Sequence, residues 1–320
     1  MNYNPILLVN GEPNSIFSEI FFKTLKSQKI KSPLILISSK KILVKQMKKL
    51  KFKKKIKLLD PKNFDLQKLD NKTINLINVD FDQKKPFEKI SKKSKNFIEK
   101  SFQIAFKLIK KGKINKFING PISKKHFLGK KYLGITEYIS EKFSKEQTCM
   151  LIYNKQLSVS PITTHLPIKQ ITKNINKKVI LKKITLIHNF YKNYFGFSPK
   201  IGVLGLNPHC ESTHKYNEDE KIIRPLVNNL KKKYKISGPF SADTMFIKNI
   251  RNKFDVVLGM YHDQVLGPIK TIYEYDAINI TLGLPFIRIS PDHGPNENML
   301  GKNTSNPLSL IRAIKFLDKN

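Results

Sequence analysis

The sequence predicts an α/β protein built as two lobes. Three observations carry that expectation. Short apolar runs alternate with longer stretches of helical period. A chain of 320 residues is long enough for two lobes of roughly 150 residues each. Side chains able to bind ligands or transfer protons follow several of the apolar runs, which is where open α/β sheets place their ligands.

Taken in order, the strand candidates are Ile6 to Val9 (ILLV), Leu34 to Ile37 (LILI), Ile74 to Val79 (INLINV), Cys149 to Tyr153 (CMLIY), Ile201 to Leu206 (IGVLGL) and Phe254 to Met260 (FDVVLGM). Between them, Ile98, Phe102, Ala105 and Ile109 fall on one helical face, as do Ile180, Ile184, Ile187, Tyr191 and Tyr194. Such stripes pack cores, and no function is assigned to them. The first lobe is expected over 1–130, joined by part of the C-terminal segment 285–320, and the second over 131–284. The lysine-rich stretch from Lys40 to Lys100 is expected to form the peripheral half of the first lobe, because apolar residues keep interrupting the charge.

No apolar run approaches the roughly 18 residues of a membrane span, and no basic region precedes the short apolar run of MNYNPILLVNGEP. A soluble, cytoplasmic protein with no membrane partner is expected. Cys149 and Cys210 lie far apart and in no CxxC pattern, which argues against a disulfide framework or a zinc knuckle. The formal net charge of +36 raises nucleic acid as a partner. Only four of the 60 basic residues are arginine, however, and bidentate recognition of bases and phosphates prefers arginine. Runs such as LKFKKKIK (Leu50 to Lys57) therefore read as solvated surface, with no specific nucleic-acid partner.

Four histidines each leave an apolar run: His165 in PITTHLP, His209 in GLNPHCES, His262 in GMYHDQ and His293 in ISPDHGP. One such histidine would read as a structural residue. Four of seven in this one kind of position shift the balance, because three neutral imidazoles leave open positions on a divalent ion for a substrate oxygen. No HxxH or HExxH spacing groups them, so any ligands must converge from distant segments. His126, His188 and His214 sit in lysine-rich or helical contexts and are read as surface residues. Beyond His262 come Lys270, Asn279 and Arg288, an ammonium, an amide and a guanidinium suited to a carboxylate and a phosphate.

In series, GLNPHCE, GPFSADTMF, DVVLGMYHDQVLGPIK and ITLGLPFIRISPDHG, preceded by NGPISK, GITE and TTHLP, resemble the 4-hydroxythreonine-4-phosphate dehydrogenase family of vitamin B6 biosynthesis over most of the chain. The resemblance implies a fold like the isocitrate and isopropylmalate dehydrogenases, two α/β lobes around a central cleft, in a homodimer whose active site borrows from both subunits. This agrees with the absence of a GxGxxG after any strand candidate. It implies His165, His209 and His262 as metal ligands, and Thr136, Lys270, Asn279 and Arg288 as substrate-binding residues. Asp243, Asp263 and Lys270 are the candidates for moving protons, and His293, Gly294 and Asn296 lie in the segment implied to hold the cofactor. NAD and a divalent metal such as zinc, magnesium or cobalt are the cofactors implied.

The implied reaction is oxidation of 4-phosphooxy-threonine to a β-keto acid that decarboxylates to 3-amino-2-oxopropyl phosphate. A dehydrogenase of a phosphorylated sugar acid, such as threonate or erythronate phosphate, is the nearest alternative. A metal-dependent hydrolase and a basic nucleic-acid-binding protein are alternatives of other classes.

Three departures from the family pattern stand out. GITE replaces GHTE, placing Ile135 where a substrate-contacting histidine is expected. GEPNSIFSE (Gly11 to Glu19) replaces a glycine-rich GDPAGIGPE, with Ser15 and Phe17 for two glycines. PNENMLGKN (Pro295 to Asn303) replaces TAFDIAGKG after SPDHG.

Overall fold

The computed structural model describes residues 3–129, 131–143, 148–212, 216–291 and 293–319. The chain divides into two compact units, Met1–Tyr138 with Pro285–Asn320, and Ile139–Leu284. Both are α/β, as expected.

The first unit contains strands β1 (Ile6–Val9), β2 (Leu34–Ser38), β3 (Ile56–Leu58), β4 (Ile74–Asn78) and β5 (Lys116–Asn119). The strand at Ile287–Pro291, twelfth in chain order and called β12, belongs with them. They run β3-β4-β2-β1-β5-β12, with every pairing parallel. Because helices cover both faces of a parallel sheet, its central strands read as unbroken apolar runs. β1 is buried at every position for this reason. Helix Lys95–Lys110 buries Ile98, Phe102, Ala105 and Ile109, the stripe read from the sequence.

Two strands of this unit escape sequence reasoning. β3 is an edge strand inside the lysine-rich stretch, with Leu58 exposed. β5 (KFIN) carries polar residues at both ends, yet all four positions are buried. The buried Lys116 donates from Nζ to the Lys319 carbonyl oxygen at 2.5 Å.

The second unit contains β6 (Cys149–Tyr153), β7 (Ser158–Thr163), β8 (Ile201–Leu204), β9 (Ile236–Phe240), β10 (Val256–Tyr261) and β11 (Ile278–Leu282). Their order is β11-β6-β7-β10-β8-β9. The pairs β11·β6 and β6·β7 are antiparallel, and the remainder are parallel. Val159, Leu204, Met245, Val257 and Val265 share one core cluster. β9 (ISGPF) carries Gly238 and Pro239 and forms an edge strand with an irregular register.

Helix Lys177–Phe195 is capped by the Asn176 side chain, which accepts from the Val179 N–H, and stops at Gly196 in the left-handed region. Its buried face is Ile180, Ile184, Ile187 and Tyr191, whereas Tyr194 is half-buried.

The expected surface histidines need correction. His188 is half-buried, with its ring packed edge-on against Tyr234 at 5.0 Å. Burial, with help from Lys192 and Lys233, holds its pKa below the usual histidine value. His126 is also half-buried, and its Nδ1 is enclosed without a hydrogen-bond partner among the described residues. His214 lies outside the described residues. Among the described residues no helix is long and apolar enough to cross a membrane.

Candidate active site

In the second unit the site grows from two neighbouring strand ends. β7 and β10 are parallel and in register at Thr163 and Tyr261. The Thr163 hydroxyl donates to the Met260 carbonyl oxygen at 2.8 Å, tying the two ends together. His165 follows β7 by two residues, and His262 is the first residue of helix His262–Tyr273. Their rings stand 6.0 Å apart between centroids, tilted by 40°. His262 Nδ1 lies 2.6 Å from Asp263 Oδ1. A carboxylate on one ring nitrogen fixes the ring's orientation and leaves the other to face a metal or substrate.

The sharp passage from strand to helix depends on residues that motif reading passed over. A Cβ on Gly259 would sit 2.4 Å from Val265 Cγ1, so this position admits only glycine without rearrangement. Gln264 accepts from the Met260 N–H at 2.7 Å and donates to the Gly205 carbonyl oxygen at 2.7 Å. It thereby joins the His262 helix to the segment that leads to His209. Buried Asp219 accepts from the Leu206 and Asn207 N–H groups at 2.7 and 3.0 Å and from the Asn207 amide at 2.9 Å, shaping that same segment. The one local signal for these roles was the amide of Gln264 at the third position of a helix.

His209 is exposed in the turn Pro208–Cys210, with a positive φ of 57°. Among the described residues no group of three or more His, Cys, Asp or Glu side chains is gathered to hold a metal ion. One chain thus brings His165 and His262 together but does not join His209 to them. Two imidazoles, one oriented by a carboxylate, fit a divalent ion as a partial ligand set.

The proton-moving candidates are spread over this unit. Asp263 is exposed and Lys270 half-buried on the same helix; seven residues bring them back to one face, about 10 Å apart along the axis. Asp243 is exposed on the short helix Ala242–Met245 after β9. Asn279 lies on β11 opposite Ile152, and its Oδ1 is enclosed with no hydrogen-bond partner among the described residues.

In the first unit lies Arg288, the guanidinium expected to hold the substrate. Its side chain is fully buried on β12. Nε donates to Asn119 Oδ1 at 2.8 Å and Nη1 donates to Thr136 Oγ1 at 3.1 Å. Burial lowers its pKa to about 10, opposed by the nearby charge of Glu137. Thr136 is itself buried, and Ile135 beside it is half-buried.

His293 Nδ1 lies 3.0 Å from the Gly294 carbonyl oxygen. Asn296 is exposed in the left-handed region. A Cβ at Gly294 would meet nothing closer than 3.9 Å, so no crowding within this chain explains the glycine.

The two altered loops meet. The Ile16 N–H donates to the Pro295 carbonyl oxygen at 3.1 Å. Buried Glu19 accepts from the N–H groups of Asn303 and Ser305 at 3.2 and 2.6 Å. Ser15 and Phe17 carry no left-handed backbone. Phe17 instead enters the core, its ring so close to Gly120 that a Cβ there would sit 2.8 Å away. Of the loop's backbone, Gly11 keeps the glycine requirement, with φ +73° and the Pro121 carbonyl oxygen 2.4 Å from any added Cβ.

The family model for Pyridoxal phosphate biosynthetic protein PdxA matches residues 29–317. The 4-hydroxythreonine-4-phosphate dehydrogenase of Sulfurihydrogenibium sp. (strain YO3AOP1) is 38% identical over 312 residues, which is 96% of this chain and 95% of that one. A protein of Oceanobacillus iheyensis, provisionally named a D-threonate 4-phosphate dehydrogenase, is 31% identical over 98% of this chain and 97% of its own. The crystal structure of 4-hydroxythreonine-4-phosphate dehydrogenase from Klebsiella pneumoniae matches with a TM-score of 0.81 at 26% identity, over 98% of each chain. By sequence over nearly its whole length and by fold, this chain belongs to the PdxA family of 4-hydroxythreonine-4-phosphate dehydrogenases.

Proposed function

We propose that this protein oxidises 4-phosphooxy-threonine with NAD and releases carbon dioxide, a step towards pyridoxal phosphate. The observation that supports this most directly is the His165–His262 pair, with Asp263 on the second ring. A divalent metal bound there supplies Lewis-acid activation of a secondary hydroxyl, and NAD supplies the hydride acceptor.

The chain's own residues do the rest. Arg288 and Thr136 bind the anionic end of the substrate and set the position of the reacting carbon. Asn279 offers an amide oxygen to its polar groups. The hydroxyl proton leaves to a carboxylate, Asp263 or Asp243, as hydride leaves the carbon. The product carries a ketone β to its carboxylate, so the electrons freed by loss of carbon dioxide pass onto the ketone oxygen. The Lys270 ammonium stabilises that charge and then returns a proton to carbon, giving 3-amino-2-oxopropyl phosphate.

The protein acts as a homodimer with a shared site. His209 of one subunit completes the ligand set begun by His165 and His262 of its partner, which accounts for only two of the three imidazoles meeting within one chain. His293, Gly294 and Asn296 line the cofactor side.

A second reading, oxidation of D-threonate 4-phosphate, is favoured by Ile135, since loss of a polar contact at this position changes what the substrate can offer there. Both readings are tested together. Purified protein, a divalent metal and NAD or NADP are mixed with 4-phosphooxy-threonine or D-threonate 4-phosphate, and reduced cofactor and carbon dioxide are followed. Turnover of the threonine derivative with metal dependence supports the proposal. Turnover of the threonate alone replaces it with the second reading, and no turnover of either, in protein that retains metal, defeats both.

A further inference from the structure

We infer that Asn119 is a positioning residue of the substrate site, acting through Arg288 on Thr136. The inference rests on the proposed role of Thr136 and Arg288, and assigns a function to a side chain so far without one.

Asn119 ends β5, and Arg288 sits on the neighbouring parallel strand β12 in register with Phe117. Side chains two apart on a strand share a face, so Asn119 lies diagonally across from Arg288 on that face. Both are buried, Asn119 at 1% and Arg288 at 0% exposure. The Asn119 orientation is set by its own backbone neighbourhood, because Nδ2 donates to the Gly120 carbonyl oxygen at 2.9 Å. That leaves Oδ1 directed at Arg288 Nε, which donates to it at 2.8 Å.

A guanidinium is a rigid plane, so fixing Nε fixes where Nη1 points. Nη1 donates to Thr136 Oγ1 at 3.1 Å. A hydroxyl that accepts from a cation directs its own O–H away from it. Asn119 therefore decides the direction in which Thr136 presents its proton to an anionic ligand.

The experiment compares wild type, Asn119→Ala, Asn119→Asp, Thr136→Ala and the Asn119→Ala/Thr136→Ala double variant, each first checked for native circular dichroism and melting temperature. Steady-state kinetics are run with 4-phosphooxy-threonine and NAD, and the same substrate is titrated calorimetrically without NAD. Asn119→Ala is expected to raise the substrate KM and Kd about tenfold, with kcat and the KM for NAD within about threefold of wild type. In the Thr136→Ala background it is expected to add less than about twofold, because a residue acting through Thr136 has nothing left to act on. Asn119→Asp retains the acceptor and should restore the fixed Arg288 plane. That plane is read directly from the Nε–Hε NMR resonance, tractable with four arginines in the chain.

An unchanged KM in folded Asn119→Ala, or effects that multiply in the double variant, overturns the inference. Should Asn119→Ala not fold, Asn119→Asp with a mobile Arg288 resonance overturns it as well. If wild type neither binds nor turns over the substrate, the proposed function fails instead, and an Nε–Hε resonance that stays protected in folded Asn119→Ala separately removes Asn119 from its role.

Discussion

The Gln264 side chain donates to the carbonyl oxygen of Gly205 at 2.7 Å, bridging 59 residues of sequence inside the second unit. Its other end accepts from the Met260 N–H, so one amide ties the strand before His262 to the strand end before His209. Replacing it with leucine leaves a buried N–H and a buried carbonyl without partners. Each such group costs about 1–3 kcal/mol, and Gln264→Leu is expected to lose roughly 2–4 kcal/mol by urea denaturation. Metal retention on dialysis should fall with it, since His262 is the residue that this clamp places.

The proposed shared site makes a sharp prediction for mixed subunits. His209→Ala and His262→Ala homodimers should each be inactive. Unfolded together and refolded, half of the dimers become mixed, and one of the two sites in each mixed dimer regains all three histidines. About a quarter of wild-type activity should return. No recovery, with mixed dimers demonstrated by native mass spectrometry, would place the whole ligand set within one chain.

Acid stability should report on His188. Its folded pKa lies below the ordinary value because burial disfavours the imidazolium. As pH falls through about 6.5 the unfolded chain takes up a proton that the folded chain refuses, so folding stability declines below that pH until the folded pKa is reached. His188→Gln should flatten the stability profile just below about pH 6.5, measured by urea midpoint. A slope identical to wild type would mean that other groups carry the acid dependence.

Ile135 offers a test of specificity. Ile135→His restores the side chain expected at this position beside Thr136. The ratio of kcat/KM for 4-phosphooxy-threonine over D-threonate 4-phosphate should rise about tenfold, the scale of one hydrogen bond to a charged group. An unchanged ratio would show that selectivity is set elsewhere.

The altered loops give a prediction about structure. Phe17 fills space against Gly120 that the expected glycine would leave empty. Phe17→Gly should cost about 3–5 kcal/mol from the cavity, with a further penalty from glycine in a helix. Denaturant unfolding measures this directly. A loss below 1 kcal/mol would mean that the loop can collapse onto the vacated space.

What the sequence by itself determined was local. Runs such as ILLV and LILI must be buried strands, because a parallel sheet covered on both faces leaves no polar alternation to read. The stripe of Ile98, Phe102, Ala105 and Ile109 could only be one face of a helix. His165, His209, His262 and His293 could be placed after strands, because the end of an apolar run is visible in the residues themselves.

Only the tertiary structure decided which of these ends meet. Thr163 and Met260, 97 residues apart, are bonded because β7 and β10 are parallel neighbours, and that neighbourhood is what pairs His165 with His262. No local pattern in either segment encodes the pairing. The same holds for Arg288, whose burial on β12 and whose bonds from Nε to Asn119 and from Nη1 to Thr136 no local pattern announces. Periodicity records which side of an element is buried; strand order and register, set by packing over the whole unit, decide what lies across from it.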